Sequence, residues 1–158
     1  FLKAYYEGGS TGPAKGAYVL ARLVLSTFVS GGYSRKIFNR IPGFVAGDGR
    51  EAPYDSFTCV LAATVTEIGL GFSPLARTLD RENHFQIVAG AISPLSYAWQ
   101  VGRIYTGAPL RGAVFDEVVH EARIDLHEDA DYMIDGDIKK GARSFKLKAG
   151  PRIRFIQY

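Results

Sequence analysis

The sequence has 158 residues, 47% apolar and 22% charged, with a net charge of +3, which is the size and balance of one globular domain with a real core. A single cysteine, Cys59, excludes an internal disulfide framework and a Cys-rich zinc site, and fits a reducing compartment. No apolar run approaches the ~18 residues of a membrane span, since the most hydrophobic stretch, Ala17 to Val29, is short and carries Arg22. The N-terminus has no leader pattern, and a chain beginning at Phe1 reads as a piece of a longer protein.

In chain order, the segment from Gly8 to Gly16 is rich in glycine but lacks the Gly-Lys-Ser/Thr closure of a phosphate loop, so it reads as a loop leading into a helix. Pro13 suits a first helical position, and Tyr18, Ala21, Leu25 and Phe28 recur at helical spacing, which predicts a helix over 14–30 that stops at Gly31-Gly32. Asp48-Gly49 predicts a tight hairpin turn. The apolar, β-branched run from Phe57 to Thr66 predicts a strand buried on both sides. Ser93 and Pro94 are the N-cap and first residue of a second helix, ending near Gly107.

Alternation dominates thereafter. Val118, His120, Ala122, Ile124 and Leu126 would share one face of a strand, with His127 on the other face, so His120 reads as a core histidine and His127 as a surface one. Asp135-Gly136 predicts a second tight turn. Phe145 and Leu147, then Ile153 and Phe155, alternate with Lys and Arg around a break at Gly150-Pro151. The fold class expected is mainly β (α+β): an antiparallel β-sandwich with two interrupting helices.

Charge is distributed unevenly. From Asp116 to Asp137 the chain is acidic apart from Arg123 and the histidines; after Asp137 it contains Lys139, Lys140, Arg143, Lys146, Lys148, Arg152 and Arg154 and no acid. Two strands with complementary solvated faces would explain this, and so would a basic surface facing anionic lipid. Nucleic acid is not expected, because the basic residues lack interleaved aromatics for stacking. The acidic stretch from Asp129 fails the calcium-loop pattern, with Met133 and Ile134 at the fifth and sixth positions. What remains for chemistry is Asp135-Gly136-Asp137, a pair of carboxylates on a sharp turn.

The order of these segments resembles the C-terminal domain of the diacylglycerol kinase and sphingosine kinase superfamily of lipid kinases. The resemblance runs from Ile41 onward: the strand from Phe57 to Thr64, the Gly-rich turn Gly69-Leu70-Gly71-Phe72-Ser73-Pro74, the acidic segment from Leu79 to His84 before an apolar strand, the helix from Ser93 to Gly107, and the turn Asp135-Gly136-Asp137 before closing strands. The resemblance implies a helical lead-in over 1–40 from a nucleotide-binding domain, and a β-sandwich lipid-kinase domain over 41–158. It implies ATP and Mg²⁺ as cofactors of the intact protein, and a lipid hydroxyl such as that of diacylglycerol as acceptor. Asp137, with Asp135 beside it, would take the hydroxyl proton, Asp137 standing where the family has Glu. Asp80, Glu82 and the His84 backbone would hold a structural Mg²⁺, with Arg81 and Asn83 departing from the family pattern.

The family's Gly-Gly-Asp-Gly-Thr nucleotide loop does not occur in this sequence, so the chain alone is expected to be inactive. Its partners would be the lipid substrate, a nucleotide-binding domain and an anionic membrane surface, in a cytoplasmic protein peripheral to the inner membrane face. A non-catalytic lipid- or membrane-binding module on the same scaffold is the alternative, and a dimerisation domain is a third reading.

Overall fold

The computed structural model describes residues 40–68, 72–135 and 137–151. The expected helix over 14–30, the lead-in before Arg40, the Gly69–Gly71 turn and the last basic residues, from Arg152 on, lie outside the described residues.

Two antiparallel sheets make the domain. In the larger, β1 (Ile41–Gly47) pairs with β2 (Arg50–Glu51), with β3 (Ser56–Phe57) and with β7 (Glu121–Ile134), and β7 pairs with β8 (Asp137–Lys148). In the smaller, β5 (Phe85–Gly90) lies between β4 (Cys59–Ala63) and β6 (Val114–Val119). Val45, Ala122 and Ile124 of the first sheet pack with Phe85, Ile87, Ala89, Phe115 and Val119 of the second, and Phe57 completes the core. The mainly β class and the sandwich follow the sequence expectation. Among the described residues no helix is long and apolar enough to cross a membrane.

The chain reverses at both predicted turns. Asp48 and Gly49 have φ of 47° and 78°, the left-handed pair a two-residue hairpin needs. Asp135 has φ 49°, and Ile134 faces Asp137 across the second turn. Gly47 is confined by packing: a Cβ there would stand 2.6 Å from Val119 Cγ1, so the bare backbone lets β1 approach β6.

Three expectations are corrected. The strand from Phe57 to Thr66 divides into β3 and β4, and β4 is a half-buried sheet edge; β5 is the strand buried on both faces, Phe85 to Gly90 being buried throughout. Its second face lies under the 3₁₀ turn Ala76–Leu79, whose Thr78 is buried, and under Leu75. The helix from Ser93 to Gly107 is capped as expected, Ser93 Oγ accepting from the Ser96 N–H and Gly107 adopting φ 72°. It breaks at Gln100, however, into α1 (Pro94–Trp99) and α2 (Val101–Thr106), because the Gln100 side chain accepts from the Arg111 N–H at 2.6 Å and donates to the Arg111 and Ser96 carbonyls.

The third correction concerns Val118 to Leu126, which is not one strand. His120 is a corner at which the chain leaves β6 in the small sheet and enters β7 in the large one. His120 is consequently only half-buried and no core histidine, whereas His127 is exposed as expected.

Burial sets the expected response to truncation. Ile87 is 0% and Leu79 80% exposed. Ile87→Ala should cost about 2–5 kcal/mol in urea denaturation, while Leu79→Ala should stay within about 0.5 kcal/mol of wild type.

Candidate functional site

Most of the acidic stretch lies on β7 and the described part of the basic stretch on β8, the two strands of one hairpin, while Asp116 and Glu117 lie on β6. Glu121 faces Lys148 across β7 and β8, Arg143 Nε lies 3.1 Å from Asp129, and Lys139 Nζ lies 3.6 Å from Asp137. Compensation is partial: Asp129 meets Arg143 and Glu121 faces Lys148 across the strands, Lys139–Asp137 lies within β8, and Arg123 faces Lys146.

The hairpin is not straight. Between the pairs Asp125–Ser144 and Ala130–Ala142, β7 advances from 125 to 130 while β8 advances only from 144 to 142. Surplus residues on one strand bend a ladder, and the bend is visible in the rings: Tyr132 packs edge-on against Phe145 with centroids 4.9 Å apart. Tyr132 is paired with Lys139, and in a straight strand position 139 would be about 20 Å from Phe145. The distal half therefore curls back toward the sheet.

Side chains two apart on a strand share a face, so Tyr132, Ile134 and their partners Lys139 and Asp137 line the side that carries the Tyr132 ring. Asp137 opens β8 with its side chain 80% exposed. Asp135 is exposed in the turn itself. The fold thus brings the two carboxylates to one hairpin tip, in solvent.

Asp80, Glu82 and His84 lie elsewhere. They lead into β5, and the His84 ring packs edge-on against that of His120, with centroids 5.8 Å apart. His120 immediately precedes β7, whereas Asp137 follows its far end, a path of up to about 45 Å for an extended strand of 14 residues. His84 Nδ1 lies 2.6 Å from the Glu82 carbonyl and His120 Nδ1 lies 3.0 Å from the Asn83 carbonyl. A carbonyl only accepts, so both rings donate from Nδ1.

Asp80 is held by Arg77, whose Nε lies 3.3 Å from Asp80 Oδ2. Among the described residues no three His, Cys, Asp or Glu side chains gather as a metal-ligand set. Mg²⁺ demands near-octahedral oxygen ligands at about 2.1 Å, and a guanidinium already lies against the one carboxylate at the head of the segment. The residues present do not fit the structural Mg²⁺.

The sequence reading missed Asp48, Arg77, Gln86 and Asp116. Asp48 Oδ1 accepts from the Glu121 N–H at 2.9 Å, and both its carboxylate oxygens lie 3.0 Å from the His120 nitrogen. Burial pushes its carboxyl up, but the N–H groups of Glu121 and His120 and the charges of His84 and His120 outweigh it and hold the carboxyl below the ordinary carboxylate value. The sequence signal for Gln86 was a polar residue inside an apolar strand, which calls for a buried partner. Burial pushes the Cys59 thiol up to about 11 and the Tyr97 phenol above its ordinary value, so neither is an activated nucleophile. An open groove of about 710 Å³, lined by residues including Arg40, Phe44, Glu51, Tyr54 and Asp55, contains none of the expected site residues.

The fold of two antiparallel sheets joined at a corner is also found among solved structures. A proposed diacylglycerol kinase from Bacillus anthracis str. Sterne shares the fold, with a TM-score of 0.51 and 14% identity over 82% of this chain and 42% of that one. A diacylglycerol kinase of the same organism matches with a TM-score of 0.46 and 15% identity over 74% of this chain and 40% of its own. The chain therefore spans less than half the length of either structure. No protein-family model and no curated protein sequence matches it.

A carboxyl with a depressed folded pKa stabilises the fold above its unfolded pKa, near 4, and loses that contribution as pH falls through the folded value. Asp48→Asn keeps a side chain tolerant of positive φ but removes the charge. It should lower stability by about 1 kcal/mol at pH 7, and the difference from wild type should shrink as pH falls from about 4 toward 2. Urea denaturation across that range measures it.

Proposed function

We propose that this chain is the lipid-side domain of an ATP-dependent lipid kinase, with Asp137 as acceptor of the proton from a lipid hydroxyl such as that of diacylglycerol. The observation that carries this reading is the Asp135-Gly136-Asp137 hairpin, with the Asp137 carboxylate exposed and directed to the face shared by Tyr132 and Ile134. The shared fold supports it as analogy of scaffold.

In the proposed reaction the lipid oxygen forms a bond to the γ-phosphorus of ATP, the bond to the β,γ-bridging oxygen breaks, ADP leaves, and the hydroxyl proton passes to Asp137. Such transfer depends on positioning and charge neutralisation, and a well-placed general base contributes about 10²–10⁴-fold. Magnesium would enter with the nucleotide. The Gly-Gly-Asp-Gly-Thr nucleotide loop does not occur in these 158 residues, so the nucleotide must be held by another domain of the working enzyme. Activity would take place at the inner face of a membrane in the cytoplasm, where the acceptor lipid resides.

A second reading, a non-catalytic lipid-binding module, is favoured by the tip itself. Met133, Ile134 and Ile138 are exposed there, next to Lys139 and Lys140, and apolar residues with adjacent lysines suit a lipid interface.

The two readings separate on Asp137→Asn in a full-length protein containing this domain, assayed for transfer of labelled phosphate from ATP to diacylglycerol vesicles. The kinase reading expects kcat to fall about 10²–10⁴-fold with vesicle binding retained. An unchanged rate would refute Asp137 as the base, and the absence of transfer by wild type would favour the binding module. The 158-residue chain alone should transfer no phosphate.

A further inference from the structure

The segment before β5 is held by a cation the protein carries itself. Arg77 sits in the 3₁₀ turn and reaches two carboxylates on different elements. Its Nε lies 3.3 Å from Asp80 Oδ2, and its Nη1 lies 3.5 Å from Asp116 Oδ1 and 3.1 Å from the Asp116 carbonyl on β6. The same residue's backbone N–H donates to Gln86 Oε1 at 2.8 Å, and Gln86 Nε2 donates to Asp116 Oδ1 at 2.6 Å.

Gln86 is 1% exposed, so this ring of contacts closes over the central strand. Both ends of the buried amide are satisfied, as a buried polar side chain requires. A guanidinium is planar, permanently charged and able to engage several acceptors at once. Those are the tasks a divalent ion would perform at this point: neutralise acids contributed by separate elements and fix their spacing.

We propose that Arg77 takes the place of a structural divalent cation here, so that the 3₁₀ turn, β5 and β6 are fastened without Mg²⁺. A metal ion drawn to Asp80 would meet the Arg77 charge at 3.3 Å from the ligand oxygen, and like charges at such range repel. This role of Arg77 does not depend on the lipid-kinase reading, and its test has no activity readout.

Thermal unfolding of the chain, followed by circular dichroism, decides it. Wild type should have the same Tm, within about 1 °C, in EDTA and in millimolar Mg²⁺; a saturable rise with Mg²⁺ and a fall in EDTA would overturn the proposal, because a protein that binds a ligand in the folded state gains stability from it. Arg77→Met, which keeps the aliphatic stem, should lower Tm by roughly 3–8 °C. An unchanged Tm would overturn the proposal as well.

A double-mutant cycle of Arg77→Met with Asp116→Asn should be non-additive, because removing the acid relieves the uncompensated charge; strict additivity would sink the bridging role. Should Arg77→Met not fold, Arg77→Lys supplies the comparison: it retains the charge without the fork and should melt below wild type.

Discussion

The corner at His120 is the constraint on which the rest of the domain depends. A chain crossing from one sheet to another leaves backbone N–H groups that neither ladder uses and that must find another acceptor. Asp48 supplies the acceptor. Its carboxylate takes the N–H groups of His120 and Glu121, while its own N–H donates to the Glu121 carbonyl at 3.0 Å. The residue that forms the β1–β2 turn thereby fixes where β7 begins, and with it the register against β1 that brings Ala122 and Ile124 inward. The positive φ of Asp48 and the missing side chain at Gly47 serve one purpose, which is to bring the turn within reach of the corner.

Apart from Arg50–Glu117, which links β2 to β6, the ion pairs among the described residues form two systems. On β7 and β8, exposed acids and bases pair across the strands, as Asp129 with Arg143, and along one strand, as Asp137 with Lys139, and each such pair contributes little on its own. At the 3₁₀ turn, one guanidinium serves two acids above a fully buried amide. The first system runs along a long exposed hairpin; the second joins helical turn to sheet. Asp135 belongs to neither core nor network, Asp137 joins the exposed charge system only through Lys139, and both lie in solvent at the hairpin tip.

Local signals in the sequence survived into the structure where the chemistry was local. The Asp-Gly turns, the Ser93 cap, the C-terminal Gly107 and the alternation of Phe145 and Leu147 depend on residues within a few positions of one another. The corner at His120 was hidden because Val118 and Val119 are both buried: Val119 lies in the core between the sheets and Val118 on the opposite face of β6 beside Gln86, so an apolar residue at 118 imitates the alternation of Ala122 and Ile124 although the inward phase changes at the corner. The run from Phe57 to Thr66 was apolar enough for a central strand, but which strand becomes central depends on neighbours far along the chain. Arg77 and Asp116 are 39 residues apart, and no spacing rule connects them. The break at Gln100 likewise needed Arg111, eleven residues on.

The surplus residues of β7 between Asp125 and Ala130 behave as a spacer whose length sets an angle. The ladder before them is locked to β1 and the ladder after them is locked only to β8. Adding or removing a residue in that interval would swing the acidic tip through space while every core contact stayed in register. Where the tip carboxylates point is thus encoded by the size of a gap, and relatives of this domain could re-aim them without altering a single residue of the turn.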